Sequence, residues 1–384
     1  MIPDSMGCGR RLYRKVQPLI EQAAQTGEGK ADRYRKHFMA LSHMWVLILH
    51  LAQGGKSLRQ SHSRLGANPN LRRRLGLTNW VSLSQLARSS TSREAECFES
   101  LLEALTNVVR RTPGLCKNKD VEWQALNRAK AIDSTFLRLS AKLSPWSKQG
   151  GYEAGVRVQY TLEPGTHIPE LLHMHTVEKN DHVALWEQDL TPFVGWTILM
   201  DLGYYGHRQF KRLREGGVHF LSKLHTQAAY RVDETRTITH NQTCKQGGDL
   251  DLVLSDQMIT LGSPNNRRGA VLCDVRLVTS RNPQGKVCQL ITDRFDLAAW
   301  EVVELYRRRW QIELFFRWLK RQLGAVRALG QSREAVWLTL LVAGIVALLW
   351  LLLNEMQVKP YGMSRISWLG AVAVGLKHAI NLSG

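Results

Sequence analysis

The stretch GWTILMDLGYYGHRQFKRLREGGVHFLSKLH, residues 195–225, decides the fold class. Its opening, GWTILM, is an apolar run that stops abruptly at Asp201 and Gly203, as a buried strand does. HRQFKRLREGG (207–217) then reads as a basic helix closed by glycines. VHFLSKLH (218–225) reads as a second strand. Strands alternating with helices predict an α/β domain with a mixed sheet.

The pattern continues upstream. AKAIDSTFLRLS from residue 129, GVRVQYTLEP (155–164) and PELLHMHTVE (169–178) have strand character, and HVALWEQDL (182–190) reads as a helix. Downstream, residues 226–293 are β-rich, with turns at NQT, GSPNNRRG and NPQG, and read as an insertion into the α/β domain. LAAWEVVELYRRRWQIELFFRWLKRQLG (297–324) is then one long helix without Gly or Pro until its end.

Residues 1–120 look helical. HFMALSHMWVLILHLAQGG (37–55) stops at Gly54-Gly55. SLRQSHSRLGANPNLRRRLGL (57–77) reads as two short helices turned at Asn68-Pro69-Asn70, with Arg72, Arg73 and Arg74 beyond the turn. REAECFESLLEALTNVVRR (93–111) is amphipathic. The expected division is a helical region fit to bind DNA (1–120), the first part of an α/β domain (121–225), a β-rich insertion (226–293) and C-terminal helices of the α/β domain (294–384).

The chain has 384 residues, 52 Lys+Arg against 33 Asp+Glu, and a formal charge of +19. At 44% hydrophobic residues it can bury a sizeable core, which argues against disorder. The positive excess points to a polyanionic partner. It is densest in residues 1–120, which carry 20 Lys/Arg against 9 Asp/Glu. The six cysteines lie at 8, 97, 116, 244, 273 and 288 without C-x-x-C spacing, so neither a disulfide framework nor a zinc ribbon is read. The N-terminus has no apolar core of a secretory signal, and the thiols read as those of a cytoplasmic protein.

Three acids stand out by position. Asp133 lies inside a strand pattern, Asp201 at a strand end and Glu313 on the long helix. Ionised carboxylates resist burial, so acids at buried strand ends need another reason to be there. Converging carboxylates can hold Mg²⁺, and two such ions can serve phosphodiester chemistry. On the helix, Tyr306, Arg309, Glu313 and Lys320 fall at ~0°, −60°, −20° and −40° for about 100° per residue, a single stripe. Arg309 and Lys320 suit phosphates, and Tyr306 offers a hydroxyl or a stacking face.

This Y-x2-R-x3-E-x6-K spacing within LYRRRWQIELFFRWLKRQLG closely resembles the Tyr-Arg-Glu-Lys signature of DDE transposases of the insertion-sequence-four type. DLGYYG (201–206) is similar to that family's segment around the second acid, and AIDST to the segment carrying the first. The resemblance runs from about residue 30 to 355. It implies an RNase H-like mixed sheet with a β-rich insertion, preceded by a helical N-terminal domain. It implies Asp133, Asp201 and Glu313 as catalytic ligands of two Mg²⁺ (or Mn²⁺) ions. It also implies Tyr306, Arg309 and Lys320 on the DNA end, and cut-and-paste transposition acting on double-stranded DNA: terminal inverted repeats and target. A hairpin at the element end and a homodimer on DNA follow from the same resemblance. Relatives often carry Lys-x-His after the first acid; here GVRVQY supplies Arg157, basic in kind and expected on DNA, and Gln159. Leu202 stands where Arg is frequent. The alternative is a non-catalytic DNA-binding regulator derived from a transposase, which would have no need of all three acids.

Two signals point elsewhere. AVWLTLLVAGIVALLWLLL (335–353) has 19 residues without a charge, long enough for a transmembrane helix. No positive-inside asymmetry flanks it, and the resemblance puts a buried helix there, so no membrane is expected. His173-Met174-His175 reads as a structural pair, and among the 12 tryptophans Trp146, Trp310 and Trp318 are candidates for stacking on a base.

Overall fold

The computed structural model describes residues 5–26, 38–52, 57–77, 80–92, 95–112, 124–148, 150–176, 180–238, 251–263, 273–322, 330 and 332–356. Six helices come first: α1 (Ser5–Thr26), α2 (Ala40–Ala52), α3 (Leu58–Gly66), α4 (Pro69–Arg74), α5 (Leu83–Ser92) and α6 (Glu96–Arg110). Their ends follow local rules. Ser57 caps α3 by accepting from Gln60 N, and Asn68 caps α4 by accepting from Leu71 N, with Pro69 in the first helical position. A short α7 (Gln124–Asn127) leads into β1 (Ala129–Arg138), β2 (Gly155–Leu162) and β3 (Pro169–Thr176). Then come α8 (Asp181–Trp186), β4 (Thr197–Leu199), α9 (His207–Glu215) and β5 (His219–Lys223). The β-rich block gives β6 (Tyr230–Thr235), β7 (Leu252–Leu261), β8 (Cys273–Arg281) and β9 (Val287–Thr292). The chain continues through α10 (Ala299–Arg308), α11 (Trp310–Gln322) and α12 (Arg333–Met356).

All nine strands form one mixed sheet in the order β3-β2-β1-β4-β5-β9-β8-β7-β6. β1, β4 and β5 run parallel at its centre; the outer pairs are antiparallel. The β-rich block is therefore an insertion in chain order but an extension in space, because β9 pairs with β5 (Leu221 opposite Thr292). β4 and β5 start at Gly195 (φ 75°) and just after Gly217 (φ 70°), left-handed positions that suit glycine. Gly195 N donates to Gly217 O at 2.8 Å, so the two starts are tied together.

Each face of the sheet is covered, as the parallel centre requires. One core joins Leu137, Val158, Tyr160, Leu199 and Leu221 to α10, α11, α12 and the N-terminal helices. The other joins Ile132, Ile198 and Met200 to Tyr204 and to Phe210 and Leu213 of α9, with Phe210 stacked on Phe220 at 4.4 Å.

One feature differs from the sequence expectation. The long helix is interrupted at Arg309. Arg309 N bonds Tyr306 O (3.0 Å) and Ile312 N bonds Arg309 O (3.1 Å), the tighter three-residue spacing of a 3-10 turn. The apolar helix α12, expected to be buried, packs against α1, α2, α5, α6 and β3. Its apolar window is 89% buried inside the protein. The helical region and the sheet thus share one core through α12; the boundary expected at residue 120 lies outside the described residues.

Candidate active site beside the central strands

The register brings the first two acids level. Ala131 of β1 lies opposite Leu199 of β4 in parallel pairing, and Asp133 and Asp201 each follow by two residues. β4 stops at Leu199 while β1 continues to Arg138 along β2, so a crevice opens beside Asp133. Here the chain leaves β1 toward β2 on one side and finds β4 on the other, the switch point where α/β sheets place ligands. Asp201 caps the 3-10 turn Leu202–Tyr204 and accepts from Gly203 N at 2.8 Å. A Cβ on Gly203 would sit 3.0 Å from Asp201 Oδ1, so the residue after Leu202 has to be small.

Glu313 reaches the crevice from α11, and Arg309 links it to β1. Arg309 Nη2 donates to Glu313 Oε1 at 2.6 Å, and its Nη1 lies 3.6 Å from Asp133 Oδ2, an ion-pair distance. Burial, joined by the charges of Asp201 and Asp181, pushes the Asp133 carboxyl up to about 7. The Ser134 N–H (2.8 Å from Asp133 Oδ1) and Arg309 oppose that rise. Tyr306 is buried under Arg309, whose guanidinium carbon is 5.9 Å from the ring centroid; burial raises the phenol to about 12. Lys320 is exposed farther along α11. The predicted stripe thus runs from a buried Tyr306 through Arg309, at the helix interruption, to an open Lys320.

The other predicted residues fall elsewhere. Arg157 turns into the site's wall: its Nη1 meets Ser134 Oγ at 3.2 Å and both Asp181 oxygens at 3.4 Å. Gln159, where relatives often carry His, is fully buried and donates to Tyr204 Oη at 3.0 Å, pinning the turn that carries Asp201. Arg72 stacks over exposed Trp80 at 5.0 Å and Arg73 is exposed, both on α4, apart from the acids in chain and fold; the side chain of Arg74 lies outside the described residues. His173 and His175 hold their rings 6.0 Å apart. Trp146 packs against the core, Trp318 stacks on Phe315, and Trp310 is half exposed at the start of α11.

Two residues escaped the sequence reading. Lys223 follows Leu221 by the same two residues by which Asp201 follows its partner Leu199, and its Nζ lies 5.7 Å from the Tyr306 ring centroid. The equal offsets of Asp133, Asp201 and Lys223 past three buried strand cores were available as a signal. Asp181, at the start of α8, had none; only the fold brings it to Ser134 and Arg157.

Among the described residues no three His, Cys, Asp or Glu side chains converge into a ready metal cage. The donor chemistry nevertheless suits a hard divalent cation: carboxylates on β1, after β4 and on α11. The elevated Asp133 carboxyl also marks a place short of positive charge, which Arg309 only partly supplies.

A mixed sheet with helices on both faces, one acid inside β1 just past its parallel ladder with β4 and another just beyond β4, is the arrangement of an RNase H-like α/β enzyme. Residues 125–350 match the transposase DDE domain, and the chain belongs to that family, whose enzymes use divalent metal ions. It is 28% identical over 259 residues, 67% of each chain, to a Sinorhizobium fredii protein named as a candidate transposase, y4zB. It is 23% identical over 242 residues to the candidate transposase for insertion sequence element IS5377 of Geobacillus stearothermophilus, covering 62% of this chain and 61% of that one. With the candidate transposase for element IS4SA of Synechocystis it shares 24% over 300 residues, 76% of this chain and 75% of the other.

Proposed function

We propose that this transposase binds the terminal inverted repeats of an insertion sequence and moves it by metal-dependent cleavage and strand transfer. The observation that carries the reading is the level placement of Asp133 and Asp201 at the switch point, with Glu313 tied to Asp133 through Arg309.

Asp133, Asp201 and Glu313 would hold two Mg²⁺ or Mn²⁺ ions. When bound, such ions lower the pKa of a coordinated water and stabilise the leaving oxygen of a phosphodiester. The chain's own residues bind and orient the DNA. Arg309 presents a planar fork suited to a phosphate, Lys320 adds an exposed charge, and Tyr306 buttresses Arg309 from beneath. Water first cuts the phosphodiester at the element end and frees a 3′-hydroxyl. In strand transfer that oxygen bonds to a target phosphorus, and the target's own 3′-oxygen leaves. Two ends brought together imply a homodimer on DNA. The exposed arginines of the helical region suit the repeats, and the cytoplasm, at the nucleoid, is the site of action.

The test is cleavage of a duplex carrying the element's terminal repeats, with and without Mg²⁺. Loss of cutting in Asp201→Asn and Glu313→Gln, with DNA binding kept, is the expected result. Cutting that survives either substitution overturns the site assignment, and a wild-type chain that binds the ends without cutting them makes it a regulator.

A further inference from the structure

We infer that Asp181 is a positioning residue of the proposed active site, acting on Asp133 through Ser134. The inference rests on the reading above and adds a carboxylate that the signature does not contain. Asp181 opens α8 but is not needed to cap it, because Asn180 already accepts from Val183 N at 2.9 Å. Its carboxylate is turned sideways onto the sheet. Ser134 Oγ donates to Asp181 Oδ1 at 2.6 Å, and the backbone N–H of the same Ser134 donates to Asp133 Oδ1 at 2.8 Å. Ser134 therefore joins the two acids across β1, its side chain directed to α8 and its N–H to the crevice.

Arg157 completes the link, with one nitrogen shared between Ser134 Oγ and Asp181. That contact draws β2 and α8 onto the strand that carries Asp133. Asp181 also faces the second acid: a Cβ on Gly203 would stand 3.6 Å from Asp181 Oδ2 and 3.0 Å from Asp201 Oδ1. A carboxylate placed close to others is costly unless its hydrogen bonds are used. Here they tether Ser134 to α8 and so hold in place the backbone N–H that orients the Asp133 carboxylate. Partners at one remove from a reacting centre commonly act in this way.

The test compares Asp181→Ala, Asp181→Asn, Ser134→Ala and the double alanine variant in the full chain. Cleavage of a terminal-repeat duplex gives kcat and KM, and thermal melting reports folding. Asp181→Ala and Ser134→Ala each lower kcat about 10–100-fold, with KM for DNA and the melting midpoint unchanged. The double variant falls no further than either single one, and Asp181→Asn, which keeps an acceptor oxygen for Ser134, restores most of the rate. Additive losses, a loss confined to KM or melting, or an Asp181→Asn as impaired as Asp181→Ala would each overturn the role. Should Asp181→Ala fail to fold, Ser134→Ala and Asp181→Asn carry the same comparison. Asp133→Asn, run alongside, separates the two readings: cutting that survives it removes the active site itself, whereas cutting abolished there but untouched by Asp181→Ala removes only the part assigned to Asp181.

Discussion

α11 and α12 stand next to each other in the chain and are opposites. α11 and the turn at Arg309 before it carry four Lys/Arg (Arg309, Arg317, Lys320 and Arg321) against the single Glu313, and Trp310, Leu314 and Lys320 are open to solvent. α12 carries no charge from Ala335 to Leu352, and nearly all of those residues are buried. Composition alone would send one helix to a polyanion and the other to a lipid bilayer. Packing leaves the charged face of α11 open and encloses α12: α12 is the shared core of the helical region and the sheet, while the one carboxylate of α11 pairs with Arg309. In the proposed function the polar helix serves the chemistry, and the apolar helix holds together the parts that position it.

That contrast can be broken by substitution. Leu348→Ala, at a fully buried α12 position, costs about 2–5 kcal/mol in a denaturant titration, because the core around it cannot collapse into the gap. If α12 lay on the surface the change would be within about 0.5 kcal/mol. Glu313→Gln on α11 behaves conversely. Cleavage falls by about 10²–10³-fold, the scale of losing one preorganised electrostatic group, while the melting midpoint stays.

A second buried device ties the helical region to pH. His50 of α2 is hydrogen-bonded to Ser61 Oγ at 2.7 Å, and burial, reinforced by Arg64, lowers it to about 4. The unfolded chain takes up this proton near 6.5 and the folded one only near 4. Stability is therefore full above about pH 6.5 and declines as pH falls toward 4, by about 2 kcal/mol between pH 7 and 4.5. Urea midpoints across that range check the slope, which His50→Asn flattens.

The smaller effects belong to the polar helix. Arg309→Gln removes the guanidinium that engages Asp133 and Glu313, so Mn²⁺ binding to the DNA-free protein, followed by electron paramagnetic resonance, tightens by roughly tenfold, the scale of one charge-assisted hydrogen bond. Unchanged or weaker binding would show that Arg309 does not compete for those carboxylates. Lys320→Ala has the least effect: DNA-end affinity drops modestly, and its dependence on salt loses about one phosphate's worth of slope.

Much of the candidate site was legible because its signals are local. An apolar run ending in Asp201, the acid of AIDST and the spacing of Tyr306, Arg309, Glu313 and Lys320 lie within single elements, where period and residue type suffice. Arg309 was placed on a straight stripe, yet the chain tightens there without a Gly or Pro to announce it. Arg157 was expected on DNA; its basic character was visible, but Ser134 and Asp181, which receive it, come from β1 and α8.

By itself the sequence determined the α/β class and the basic helix and singled out three candidate acids, because strand and helix periods and the cost of burying charge act over a few residues. The tertiary structure decided that the β-rich block continues the sheet, that α12 serves a protein core instead of a membrane, and that Asp181 stands behind Asp133. Each of these depends on which distant surfaces meet: a strand edge accepts any matching strand, an apolar helix fits protein or lipid equally well, and a carboxylate has no partner until folding supplies one.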